Sequence, residues 1–247
     1  MDPEQYQIMY DLEATHWWYA GMREITAALL DRYLPQRPGL RILDAGCGTG
    51  ANLQALERYG SVLGVDISPL ALALCRRRGL TGVALASVDH LPFRDAAFDL
   101  VTSFDVLYHL AVQEDQSALR EFRRVLRPGG MLFLRVPALG FLRAAHDTAV
   151  HTRHRYSTAE LRRKVAATGF RVVRATYANT LLFPAIAGLR LAQRATGRAT
   201  DHQGDVHPAA PAVNTALRAA LGLEARLLRR VDLPLGVSAL CVAQALP

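Results

Sequence analysis

Cysteine is scarce in this chain of 247 residues, and the three present, Cys47, Cys75 and Cys241, lie far apart with no Cys-x-x-Cys pair. That excludes a disulfide framework and a structural zinc knuckle, and it suits a reducing, cytoplasmic setting. Lysine is scarcer still: Lys164 stands alone among 29 lysines and arginines. No run of 18 residues is free of charge, so an ordinary transmembrane helix is not expected. The opening residues, Met1-Asp2-Pro3-Glu4-Gln5, are acidic and polar, which reads against a secretory signal.

What is present is enough for a packed core. Half the residues are apolar (51 %) and a fifth are charged (21 %), which fits one large domain or one domain with a sizeable insertion. The formal charge of +7 invites a nucleic-acid partner. The arginines are spread through helical segments rather than grouped in a tail, so a solvated basic face is the better reading. Anionic substrates and lipid headgroups stay open as partners.

From residue 40 onward, strand-like and helix-like segments alternate, as a parallel sheet with crossover helices requires. Before it, Trp17-Trp18-Tyr19 introduces a helix over residues 22–33, stopped by Pro35 and Pro38-Gly39. Strands are expected over 40–44, 61–66, 83–86, 98–103 and 131–136. Helices are expected over 51–59, from Ser68-Pro69, and over 113–126. Ser157 and Glu160 have the spacing of a capping box for a helix running to Ala167. Residues 170–177 and 236–243 alternate like two further strands. The stretch between them is far longer than a hairpin needs. It reads as two helices, over 181–196 and 214–230, separated by a polar linker holding His202, Gly204, His207, Pro208 and Pro211.

Asp44-x-Gly46-x-Gly48-x-Gly50 sits where the first strand gives way to a helix. Glycines there let a ligand approach the backbone, and the helix N-terminus offers free N–H groups. Gly46-x-Gly48-x-x-Ala51 also satisfies a dinucleotide fingerprint. Three features argue otherwise. Asp44, directly before the turn, would repel pyrophosphate and attract an ammonium group. Asp66 ends the second strand, where a carboxylate can take both ribose hydroxyls. Pro128-Gly129-Gly130 precedes the fifth strand, a turn the dinucleotide fold does not require.

Together these residues resemble the class I S-adenosylmethionine-dependent methyltransferases. The resemblance rests on Leu43-Asp44-Ala45-Gly46-Cys47-Gly48-Thr49-Gly50, Gly64-Val65-Asp66-Ile67-Ser68, Leu91-Pro92-Phe93, Phe98-Asp99-Leu100-Val101 and Leu126-Arg127-Pro128-Gly129-Gly130. It implies an α/β, Rossmann-like, seven-stranded, mostly parallel sheet with an antiparallel last strand. It also implies S-adenosylmethionine as cofactor. Asp44 and Gly46, with Gly48 and Gly50, would hold the methionine end, Asp66 the ribose and Ile67 the adenine. Ser87 stands where the family often has an acid facing the adenine amino group, with Val88 offering a backbone N–H. Asp89 would share the Ser87 face if the third strand continued. Phe104, after the fourth strand, joins this cofactor set.

Acceptor residues should follow the fourth and fifth strands. Phe104-Asp105-Val106-Leu107-Tyr108-His109 carries Tyr108 where small-molecule methyltransferases often have Glu, and His109 as a base or a clamp on the acceptor. Further on, His146, Asp147, His151 and His154 crowd together. Their spacing of five and then three does not align metal ligands on a helix, so no metal is expected. His146 joins His109 as a catalytic candidate. His154, Arg155 and Tyr156, with Trp17 and Trp18 near the N-terminus, are candidate acceptor contacts. His16-Trp17-Trp18 and Arg155-Tyr156 also resemble a bacterial subgroup of this class.

These readings divide the chain into a helical lid (1–39), a cofactor-binding core (40–178), a helical cap insertion (179–234) and a final core strand (235–247). Leu217, Leu221, Leu228 and Val231 form a stripe for packing on the domain, on a second copy as a homodimer, or against a membrane surface as a peripheral contact. The expectation is methyl transfer to a small, bulky, partly hydrophobic molecule, with a hydroxyl oxygen leading. An RNA methyltransferase and a non-catalytic cofactor-binding scaffold are the alternatives.

Overall fold

The computed structural model describes residues 1–34, 39–143, 145–196 and 208–247, without the side chains of 145, 146 and 193–196. The linker residues His202, Gly204 and His207 lie outside the described residues. In chain order the elements are α1 (Pro3–Leu12), α2 (Trp17–Tyr33), β1 (Leu40–Ala45), α3 (Ala51–Leu56), β2 (Gly60–Asp66), α4 (Pro69–Arg77), β3 (Val83–Leu85) and β4 (Phe98–Phe104). Then come α5 (Asp115–Val125), β5 (Leu126–Pro137), α6 (Ala145–Ala149), α7 (Thr158–Ala166), β6 (Phe170–Ala178), α8 (Phe183–Thr196), α9 (Pro211–Leu228) and β7 (Ser238–Ala245).

The seven strands form one sheet in the order β3-β2-β1-β4-β5-β7-β6. β1 to β5 are parallel, and β7 runs antiparallel between β5 and β6. This is the sheet the sequence implied. Caps fall where expected: Ser68 Oγ accepts from Ala71 N–H at 3.4 Å, and Ser157 Oγ from Glu160 N–H at 3.1 Å. Several boundaries differ, two of them for a plain physical reason. The Arg127–Gly130 turn is drawn into β5 across a register shift against β4, because Leu126 already pairs with Phe98. Pro211 is the first-turn proline of α9 rather than part of the linker.

Strand alternation gives the sheet two buried faces. On one, Leu43, Val101, Leu132 and Leu134 pack beneath Phe122 of α5 and Leu161 of α7. On the other, Ile42, Leu100, Phe133 and Leu240 pack beneath Ile25 and Leu29 of α2 and Leu221, Ala225 and Leu228 of α9.

The insertion therefore divides in two. α9 is a layer of the core, crossing α2 so closely that a methyl group on Gly21 would overlap Leu221. Val231, expected in its packing stripe, is exposed because the helix ends at Leu228. Glu224, fully buried, accepts from the backbone N–H groups of Asn179, Thr180 and Leu181. Arg174 of β6 donates to the Leu228 and Val231 carbonyls and to Asp232. α8 lies outside this core, with Leu189 and Leu191 exposed. Among the described residues no helix is long and apolar enough to cross a membrane.

Candidate functional site

The end of β1 and the following turn are pinned to both neighbouring strands. Gly46 and Cys47 donate their N–H groups to the Val65 carbonyl at 2.8 and 2.9 Å. Gly46 has φ +87°, and a side chain there would run into Val106, so only glycine satisfies both demands. Asp44 accepts from the Thr102 hydroxyl at 2.7 Å through Oδ1. Its Oδ2 is buried with no partner. Burial pushes the carboxyl up to about 7, against the lowering effects of Thr102 and Arg135.

Asp66 ends β2 beside this turn. Its two oxygens accept from Gly48 N–H and Ser68 N–H, each at 2.9 Å, while burial raises its pKa. Ile67 and Leu85, next to it, are 53 % and 59 % exposed. They form an apolar shelf of the kind a purine ring covers.

The third strand stops at Leu85, so the expected alternation does not carry Asp89 onto the Ser87 face. Instead, residues 87–90 make a tight turn in which Asp89 N–H donates to Ser87 Oγ at 3.2 Å. Val88 is buried, and Asp89 Oδ1 is buried without a partner.

α1 lies across the glycine turn. Met9 touches the space above Gly48. Glu13 accepts from the Thr49 hydroxyl and, at 2.7 Å, from Arg78. Arg78 also donates to the Thr49 carbonyl (2.9 Å) and the Tyr10 carbonyl (2.7 Å), with its guanidinium over the Tyr10 ring. An N-terminal helical segment over the site was expected. α1 itself went unread, although Tyr6, Met9 and Tyr10 stand at helical spacing in it.

At the ends of β4 and β5, Phe104 pairs in register with Arg135. Arg135 is 5 % exposed, donates from Nε to Asp105 Oδ2 at 2.7 Å, and stacks on both Trp18 and Phe104. Asp105 holds φ +58°, a strained value for a non-glycine residue. Neither residue was singled out from sequence. A lone arginine within the apolar run Met131-Leu132-Phe133-Leu134-Arg135-Val136 was the available signal. Trp17 sits beside His16, and its N–H donates to Asn214 of α9. Trp18 thus borders the site, and Trp17 fastens α2 to α9.

Tyr108 is half-buried, with its phenol pKa raised by burial. His109 is lowered to about 4, mainly by burial, and its Nδ1 accepts from Ala111 N–H at 3.0 Å. Nε2 lies 2.8 Å from the Met1 amine, and His151 lies beside it.

Three expected acceptor contacts have partners within the chain. Arg155 spends its donors on Asp147, at 2.8 and 3.0 Å, and on the Ala138 carbonyl at 3.0 Å. Tyr156 is fully buried, donating from its hydroxyl to Leu107 O or Asp115. His154 is exposed and engages Glu160 at the start of α7. The side chain of His146 lies outside the described residues.

A cavity of about 330 Å³ opens between α2 and α3, lined both by apolar side chains, Ala20, Leu56 and Phe104 among them, and by charged ones, Arg23, Glu24, Arg58 and Arg218.

These residues fit S-adenosylmethionine. The orphaned Asp44 oxygen lacks the donor an ammonium supplies, Asp66 stands where ribose hydroxyls would meet it, and the Ile67–Leu85 shelf offers an apolar seat for adenine.

Residues 43–134 match the methyltransferase domain family. The malonyl-[acyl-carrier protein] O-methyltransferase of Herminiimonas arsenicoxydans is 36 % identical over 132 residues, 52 % of this chain and 49 % of that protein. A probable tRNA methyltransferase 9B of Mus musculus is 36 % identical over 105 residues, 42 % of this chain and 23 % of that protein. The match thus spans half or less of these two relatives. Among solved structures, an S-adenosylmethionine-dependent methyltransferase from Mesorhizobium loti superposes with TM-score 0.59 at 22 % identity, covering 89 % of this chain and 97 % of that one. The [4+2]-cyclase SpnF superposes with TM-score 0.58 at 22 % identity, covering 90 % and 80 %. At that identity the likeness is one of fold, and the fold hosts more than one reaction.

Proposed function

We propose that this chain, which carries the fold of the class I S-adenosylmethionine-dependent methyltransferases, moves a methyl group to a small, bulky, partly hydrophobic molecule, at a hydroxyl oxygen. The observation that carries this reading is the buried, unpartnered Asp44 oxygen at the mouth of a glycine turn. It is a standing cost unless a cationic ligand completes it. Trp18 and Phe104 beside the ends of the fourth and fifth strands support an acceptor with a hydrophobic body. The three free, buried cysteines support a cytoplasmic setting.

The cofactor, when bound, supplies an electrophilic methyl group. The protein's share is alignment, the larger part of such a displacement. Asp44 and Asp66 fix the two ends of the cofactor, and Phe104 and Trp18 wall the acceptor side. His109 serves as a positioning group rather than a base: its Nδ1 accepts from Ala111 N–H and its Nε2 faces the Met1 amine at 2.8 Å, so neither nitrogen is left to take a proton from an acceptor.

Calorimetry with S-adenosylhomocysteine tests the reading. Wild type should bind, and Asp66→Ala should lose ~1.5–3 kcal/mol, the range for hydrogen bonds to a charged group. Release of S-adenosylhomocysteine across a panel of hydroxylated aromatic and aliphatic acceptors then tests transfer. A folded wild type that binds neither S-adenosylmethionine nor S-adenosylhomocysteine sinks the proposal.

A further inference from the structure

Arg135 is a cation buried at the carboxyl end of β5, on the same sheet face as Asp44 and Phe104. Burying an arginine is costly unless its donors are met. Only Nε is met, by Asp105. Among the described residues, neither Nη of Arg135 has a partner. Trp18 and Phe104, at 5.2 and 4.9 Å from the guanidinium carbon, stack on it and leave the Nη edge open to a ligand. Two parallel N–H groups on that edge match the two oxygens of a carboxylate.

Asp44 is the opposite case on the same face: a buried acceptor without a donor, close enough to feel the charge of Arg135. A ligand that satisfies both must offer an ammonium and a carboxylate a few bonds apart, as an α-amino acid does.

We propose that Arg135 seats the carboxylate of the methionine end of S-adenosylmethionine while Asp44 takes its ammonium, so that these two side chains together recognise the amino-acid end of the cofactor. The proposal rests on the methyltransferase reading above.

The cofactor is the better source of that carboxylate than an anionic acceptor, because an acceptor carboxylate alone would leave the buried Asp44 oxygen unanswered, whereas the amino-acid end of the cofactor carries both groups.

The test is binding, with decarboxylated S-adenosylmethionine as the probe that keeps the ammonium and loses the carboxylate. Wild type should bind S-adenosylmethionine at least about 10-fold more tightly than this probe. Arg135→Gln should lower S-adenosylmethionine affinity by at least about 10-fold and shift the probe by less than about 3-fold, closing the gap. Equal losses for both ligands would make Arg135 a packing residue and overturn the assignment, as would a variant that binds both normally. If Arg135→Gln does not fold, the wild-type ratio still decides: a ratio near one overturns the seat. A wild type that binds neither ligand fails the methyltransferase reading itself, a different result from a bound cofactor with no discrimination.

Discussion

The Thr102 hydroxyl donates to one oxygen of Asp44 at 2.7 Å and leaves the other buried and unanswered. One side chain thus carries a cost to the free protein and a seat for a cationic ligand. Because burial raises the Asp44 pKa from 3.8 to about 7, its favourable contribution is the protonated form. It is fully present below pH 3.8 and is lost as the pH rises through about 7.

Asp44→Asn should therefore stabilise the free protein more at pH 8 than at pH 5.5, and thermal melts at both values check this. The same variant should bind S-adenosylhomocysteine more weakly. Wild-type affinity should fall on acidification through pH 7, a dependence the variant lacks. A melting difference that is the same at both pH values would remove Asp44 as a buried titrating group.

Gly46→Ala should destabilise by ~1–3 kcal/mol, the usual cost of holding a side chain in a sparsely populated backbone region. The added methyl also meets Val106. Val106→Ala in the same chain should recover only the steric share, since φ +87° persists. Urea denaturation of the two single variants and the double variant separates the two costs.

Leu221→Ala should cost ~2–5 kcal/mol, as for a well-packed core leucine. The affinity for S-adenosylhomocysteine should be unchanged once the protein is folded. A chain in which residues 179–232 are replaced by a short turn should fail to fold, because Met22, Ile25 and Leu29 would lose the α9 layer above them. A folded, cofactor-binding deletion would show that α9 is dispensable to the core.

His109 stays neutral through the physiological range, since burial holds its pKa at about 4. The pH profile of kcat/KM should therefore show no inflection near 6.5 that His109→Gln removes. A limb at that pH that disappears in the variant would return His109 to the role of base.

The sheet was legible because most strands are apolar runs punctuated by glycine, proline or an acid, and because Asp44 and Asp66 stand where strands end. The acceptor side was less legible. Arg155 and Tyr156 read as acceptor contacts, yet a sequence cannot distinguish an arginine free to meet a ligand from one tied to a carboxylate eight residues back. Asp89 was placed on the Ser87 face by extending a strand that stops after three residues. α9 read as amphipathic, but only the packed chain shows that Gly21 meets Leu221.

β6 reaches the rest of the sheet only through β7, which is separated from it by α8 and α9. A ribosome has to make some sixty residues after β6 before the strand that pairs with it exists, counting from Ala178 to Ser238. Until then β5 and β6 each present an open edge in a chain already rich in β-forming sequence, the kind of exposure that invites pairing with the wrong chain. Nascent-chain aggregation should thus depend on how fast residues 179–245 are translated, making slow codons in the insertion a hazard and prompt chaperone capture a benefit.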